Sequence, residues 1–166
     1  MADGGLAPLP AAFDARAFRT ALGRFATGVT VVTIATPDGP MGFTANSFSS
    51  LSLDPPLVLW SLARSSRRYG AYAAADHFAI HVLGQAQADW PARFGREGAG
   101  FAGLDWAPNA EGVPVIAGAL ARFDCARHAT HDGGDHLIIV GRVLRLAEED
   151  GLPLVFSQGR FGGFSG

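Results

Sequence analysis

Three short stretches carry residue types capable of chemistry. The first is Gly42-Phe43-Thr44-Ala45-Asn46-Ser47-Phe48. Small and hydroxylated side chains interrupt an otherwise apolar strand pattern there. Such a surface lets a flat ligand approach the backbone closely and bond to its N–H groups. The same composition also suits an edge strand with polar side chains facing water. The second stretch is Ser61-Leu62-Ala63-Arg64-Ser65-Ser66-Arg67-Arg68, where a strand ends and a short helix begins. Serine hydroxyls, free N–H groups at a helix start and three arginines make a phosphate cradle. Equally, Ser65 or Ser66 caps the helix and the arginines are solvated. The third is Gly133-Gly134-Asp135-His136 at the head of a long strand. The glycines free the backbone, and His136 is placed to contact a reduced cofactor or steer its charge. The alternative is a hairpin turn capped by Asp135, with His136 an ordinary strand residue.

Other chemistries fit less well. Cys125, His128, His131 and His136 lie close together in sequence, but their separations match no closed four-ligand zinc pattern, so no metal is expected. Ser47 and Ser61 lack the Gly-x-Ser-x-Gly elbow of a hydrolase nucleophile. Cys125 falls on the inward face of its strand and reads as inert core. His77 and His81 read as structural.

These stretches need elements to hold them. The helical pattern formed by Phe13, Ala17, Phe18, Ala21, Leu22 and Phe25 on one face closes at Gly28. Residues 29–35, Val-Thr-Val-Val-Thr-Ile-Ala, are β-branched and continuous, as in a buried strand. A Pro37-Asp38-Gly39-Pro40 turn leads to a second strand over 41–48, making a hairpin. Further strands are predicted over 57–62, 78–83, 119–125, 136–146 (kinked near Gly141) and 154–156. Helices are predicted over 67–75 and 85–94, with Pro91 limiting the latter or lying in its first turn. Residues 95–114 read as an irregular loop. Along 119–125, Ala119, Ala121, Phe123 and Cys125 should face one way and Arg122 and Asp124 the other. Strand following strand argues for an antiparallel barrel with short helices over its ends. No GxGxxG turn supports a dinucleotide-binding βαβ fold.

Composition sets the bounds. The chain has 166 residues, one domain's worth, with residues 1–12 a loose arm and 13–166 the domain. Charged residues make up only 17% and apolar ones 48%, so part of the surface should be covered by another subunit. A net charge of -2 and the absence of a basic run exclude a nucleic-acid footprint. No apolar stretch approaches a membrane span, no signal-peptide pattern opens the sequence, and the single cysteine suits a reducing compartment. Cytoplasmic residence is therefore expected.

Taken together, these segments resemble the flavin reductase-like family with the FMN-binding split-barrel fold. The similarity is to the small reductase components of two-component flavin monooxygenases. It is carried by Phe25-Ala26-Thr27-Gly28-Val29-Thr30-Val31-Val32-Thr33 and by residues 42–58, which include Thr-Ala-Asn-Ser-Phe and Asp54-Pro55-Pro56. Residues 78–83, Gly134-Asp135-His136 and Pro153-Leu154-Val155-Phe156 complete the match. The resemblance implies an antiparallel Greek-key split β-barrel, a homodimer, FMN or FAD bound near the subunit interface, and NADH or NADPH as hydride donor. It places Thr44, Ala45, Asn46 and Ser47 along the flavin ring, with Thr30 and Val31 nearby. Ser61, Ser66 and Arg67 fall at the phosphate, and His136 on the nicotinamide side. Phe161 stands where many relatives carry Tyr, and Ser66-Arg67 where many carry Ser-Thr. A partner monooxygenase would receive the reduced flavin. The alternatives are a flavoprotein that keeps its flavin and reduces another substrate, and a flavin- or haem-binding module without catalysis.

Overall fold

The computed structural model describes residues 14–95 and 99–164; the arm over 1–12 and Phe13 of the first apolar stripe lie outside them. Asp14 starts helix α1 (Ala15–Leu22) as its N-cap, its carboxylate accepting from the Arg16 N–H at 2.9 Å. The helix stops at Gly23, earlier than the apolar stripe predicts. Gly28 does not close it. Thr27–Gly28 instead forms a short strand, β1, because its backbone groups pair with Phe156 and Val155.

The strands that follow are β2 (Thr30–Thr36), β3 (Gly39–Ala45), β4 (Ser49–Leu53) and β5 (Pro56–Ala63). Helix α2 (Tyr69–Ala74) then leads to β6 (His77–Val82). A 3-10 turn (Gln85–Gln87) and the single-turn α3 (Trp90–Arg93) replace the predicted 85–94 helix, with Pro91 in the first turn where its missing N–H costs nothing. The predicted irregular loop contains a small hairpin of β7 (Trp106–Pro108) and β8 (Pro114–Ile116). Two thirteen-residue strands, β9 (Ala121–Gly133) and β10 (His136–Glu148), form the longest hairpin. β11 (Leu154–Ser157) and β12 (Arg160–Gly163) close the chain.

Seven strands make one antiparallel sheet in the order β3-β2-β6-β9-β10-β5-β4. Its edge strands, β3 and β4, are only three residues apart in sequence. That connection requires the sheet to curl until its two edges face each other, which gives the split barrel. The predicted β2–β3 hairpin is present, Thr30 facing Ala45 and Thr36 facing Gly39. β2 is buried on both faces, which accounts for its unbroken apolar run. Val32 and Ile34 join Trp60, Tyr72, Phe78 and Ile139 inside the barrel. Val31, with Val29, packs outside against Leu83, Trp90, Phe94 and Phe101. The Tyr72 hydroxyl donates to the Val32 carbonyl at 2.7 Å and is thereby satisfied, whereas the buried Trp60 Nε1 finds no acceptor among the described residues.

Two strand readings need correction. β9 runs on to Gly133, through residues too polar to announce a strand. Its ladder with β10, not side-chain burial, holds that half in place. Asp124 was expected on the outward face, yet it is 1% exposed. Arg122 lies 3.0 Å and Arg145 3.3 Å from its carboxylate, and Arg145 continues to Glu111, so the second face of β9 is also covered here. A register shift between Val143 and Arg145 brings Arg145 opposite Asp124. The predicted kink at Gly141 is a second shift, between Val140 and Gly141. No helix among the described residues is long and apolar enough to cross a membrane.

Candidate functional site

A cleft of about 160 Å³ opens between the end of β3 and the β11–β12 hairpin, lined by Val29, Thr44, Asn46, Phe156 and Phe161. Thr44 lies opposite Val31 in the β2–β3 ladder, and Asn46 follows directly after β3. Phe156 and Phe161 are a cross-strand pair with ring centroids 5.2 Å apart. The strand wall is fixed from behind. The Thr44 hydroxyl donates to the Pro91 carbonyl at 2.9 Å, and the Thr30 hydroxyl donates to the Ala45 carbonyl at 2.7 Å. Thr44, Asn46 and Phe161 are thus brought together, with the Ala45 backbone between the first two. Thr30 and Val31 are 2% and 0% exposed. Both side chains are closed to a ligand, and their part is to support the wall. Gly42 is small for a different reason than ligand access: a Cβ there would lie 2.3 Å from the Phe94 ring.

The second stretch continues from this wall. The Ser47 hydroxyl accepts from the Ser61 N–H at 2.9 Å and bonds the Ser61 carbonyl at 3.3 Å, tying the β3–β4 connection to β5. Ser47 is therefore a clasp between the barrel edges, while the half-buried Ser61 keeps its own hydroxyl unengaged among the described residues. α2 begins at Tyr69, two residues later than predicted, after a turn in which the Ser66 hydroxyl accepts from the Arg68 N–H at 3.2 Å.

The three arginines separate by role. Arg64 donates to the Gly134 carbonyl at 3.1 Å and to Tyr69 at 3.0 Å, and pairs with Asp132 at 2.6 Å. Arg68 donates to the carbonyls of Gly42 and Phe94, both at 2.7 Å, and of Gly95 at 3.0 Å, and lies over the Phe43 ring. Among the described residues, the exposed Arg67 guanidinium has no hydrogen-bonding or ionic partner. It is the arginine of this stretch left available to an anion.

The third stretch meets the second. Gly134, with φ +73°, turns the β9–β10 hairpin, and His136 faces Ala63 at the end of β5. The Arg64 N–H donates to the Asp135 carbonyl at 2.9 Å, pinning the tip of the hairpin beside the cradle. His136 Nδ1 lies 2.7 Å from the Asp135 carboxylate. That hydrogen bond, with the histidine's charge, holds the Asp135 carboxyl below the usual carboxylate range, and Arg19 adds to the effect. The His136 side chain is 43% exposed, and Nε2 has no hydrogen-bond partner among the described residues.

Two titratable groups lie apart from this site. His81 is fully buried, with Nδ1 3.1 Å from the Val31 carbonyl and Nε2 accepting from the Ile116 N–H at 3.0 Å. Burial lowers its pKa to about 4, so it is neutral and structural. Burial pushes the Cys125 thiol up to about 12, which removes it as a nucleophile. Among the described residues no three His, Cys, Asp or Glu side chains converge as a metal ion requires.

Sequence reasoning missed Phe156 and Val29 as lining residues and Arg68 as a strut. The signal for Phe156 was available in Phe156-Ser157-Gln158-Gly159-Arg160-Phe161, a turn flanked by aromatics that marks a hairpin.

A profile described as "Flavin reductase like domain" matches residues 22–165. The FMN reductase (NADH) SmoA of Agrobacterium fabrum is 62% identical over 157 residues, spanning 95% of this chain and 90% of that protein. The reductase subunit HsaB of a flavin-dependent monooxygenase from Mycobacterium tuberculosis is 44% identical over 159 residues, 93% of this chain and 85% of that protein. Among solved structures, the NADH:FAD oxidoreductase SgcE6 of Streptomyces globisporus, solved in complex with NAD and FAD fragments, matches with a TM-score of 0.85. It is 39% identical, and the match covers 91% of this chain and 93% of that one.

Proposed function

This chain belongs to the flavin reductase-like domain family, and from that premise we propose that it is an NAD(P)H:flavin oxidoreductase supplying reduced FMN or FAD to a separate monooxygenase. The observation that carries the assignment of residues is the meeting of three features on one side of the barrel. These are the cleft between Asn46 and Phe161, the unpartnered Arg67 past the end of β5, and His136 opposite Ala63. The residues suit the ligand. The cleft offers a polar wall and two aromatic rings for a flat ring system, and Arg67 with the hydroxyls of Ser61 and Ser66 suits a terminal phosphate.

Bound flavin supplies the acceptor for a hydride from the nicotinamide. The chain needs no nucleophile for that; its work is alignment. Thr44 and Ala45, held by Pro91 and Thr30, present a fixed wall, and Phe156 with Phe161 supplies an aromatic surface on the opposite side. Arg67 anchors the phosphate. The Asp135 carboxylate, bonded to His136 Nδ1, orients the ring and leaves Nε2 to face the nicotinamide side.

Homodimer formation fits the exposed apolar residues of α1 and its flank, where Leu22 is 57% and Phe25 79% exposed, and a second subunit would complete the shallow cleft. Cytoplasmic residence fits a chain whose one cysteine is a free, buried thiol.

Steady-state NADH and NADPH oxidation by the purified protein, with FMN or FAD titrated in, tests the function. Saturable dependence on added flavin, from a nearly colourless preparation, is expected. A yellow preparation needing no added flavin would favour a flavoprotein acting on another substrate. Colour that persists anaerobically with both donors would favour a binding module.

A further inference from the structure

A second cavity, of about 340 Å³, lies beside the cleft and is lined by Arg19, Thr20, Gly23, Arg24, Gln158 and Gly159. It forms where the end of α1 meets the β11–β12 turn. The Gln158 N–H donates to the Gly23 carbonyl at 2.9 Å, and Arg24 donates to the Gln158 side chain at 3.2 Å. The turn is built for this shape, since Gln158 and Gly159 both have positive φ, 51° and 76°. Among the described residues no carboxylate lines the cavity, and two guanidiniums do. Arg24 keeps donors beyond its one bond to Gln158, and the Arg19 guanidinium makes no hydrogen bond or close ion pair among the described residues, its one electrostatic partner being the more distant Asp135 carboxylate. The cavity therefore presents two guanidiniums and backbone at a preformed concavity, the chemistry that recognises phosphate.

Its position says which phosphate. The same hairpin lines both cavities. Phe156 and Phe161 face the cleft, and Gln158 and Gly159, two residues further along the hairpin, face the cationic pocket. At strand rise that separation is about 7 Å, the scale of one ribose between a ring and its phosphate. Arg19 is also close enough to Asp135 to act on its charge, so the pocket lies toward His136. The cradle at Arg67 accounts for one phosphate only. We infer that the Arg19–Arg24 pocket binds the diphosphate of a dinucleotide, whose ring end reaches the cleft beside His136. Because the flavin phosphate, which is one of the two in FAD, is already assigned to Arg67, the dinucleotide this pocket suits is the nicotinamide donor. The inference rests on the flavin reductase reading.

The test reads binding apart from turnover. ADP, a fragment of the dinucleotide donor, is titrated calorimetrically into the wild type and into Arg19→Ala, Arg24→Ala and Arg24→Lys variants, with thermal midpoints measured alongside. ADP affinity is expected to fall about tenfold in each alanine variant and to be largely kept in Arg24→Lys. In turnover, a rise in the NADH KM at constant kcat, with flavin saturation unchanged, assigns the pocket to the donor. A loss confined to FAD, with the NADH KM unchanged, overturns the assignment to the donor. Unchanged ADP affinity in folded alanine variants overturns the inference, as does equal weakening of FMN and riboflavin. Failure of the underlying reading would look different, because the wild type would then oxidise neither NADH nor NADPH with any flavin.

Discussion

Arg67 and Arg68 are neighbours in sequence with opposite employment. Arg68 is engaged by three carbonyls and an aromatic ring, whereas Arg67 reaches solvent with its donors free. Arg67→Ala should weaken FMN binding about tenfold while leaving riboflavin, which lacks the phosphate, unchanged; fluorescence titration measures both, and equal weakening would refute the phosphate role. Arg68→Ala should instead cost about 2–3 kcal/mol in urea denaturation, since it leaves buried carbonyls without donors. His81 gives the pH prediction. It must be neutral to donate from Nδ1 and accept at Nε2, and its folded pKa of about 4 lies below the unfolded value near 6.5. The unfolded chain therefore binds the extra proton, so stability is complete above about pH 6.5 and falls as pH drops toward 4, by up to about 3 kcal/mol. His81→Gln should flatten that part of the curve, measured as the denaturation midpoint between pH 4 and 7.

At the level of the element, β3 is held by three restraints, one from its hairpin partner β2 and two from the α3 segment far along the chain. Pro91 fixes Thr44, Thr30 fixes Ala45, and Phe94 fills the space above Gly42. A methyl at Gly42 would lie 2.3 Å from a ring that is 0% exposed and has no room to withdraw. Gly42→Ala should accordingly destabilise the protein by about 1–3 kcal/mol. It should also raise the KM for flavin, because β3 carries the cleft wall; denaturation and flavin saturation curves check the two effects separately. The sequence showed that 42–48 was unusual for a strand. It did not show that glycine at 42 serves packing while Thr44 and Asn46 serve the cleft, because the partner, Phe94, is fifty-two residues away.

For the whole molecule, the apolar surface left uncovered on one subunit is the leading fact. α1 buries none of its residues within the chain, and Leu22 and Phe25 stand well exposed beside it. Sedimentation should give twice the 17.3 kDa of the chain. A Leu22→Glu, Phe25→Glu double variant should sediment as a monomer, keep the circular dichroism of a β protein, and lose most of its flavin affinity. A wild type that stays monomeric at micromolar concentration would contradict the homodimer.

The sequence by itself determined the class of the fold and the neighbourhood of the site. Continuous β-branched runs, turn dipeptides and two glycines before His136 are local signals, and local periodicity survives folding intact. What the tertiary structure alone decided was which residue of each candidate stretch is free to act. Ser47, Arg64 and Arg68 have the same chemistry as Ser61 and Arg67, yet long-range carbonyls and N–H groups engage the first three. Asp124 likewise looked solvent-facing until Arg122 and Arg145 closed over it. Hydrogen-bond partners and burial depend on segments far apart in the chain, and no pattern within a single segment records them.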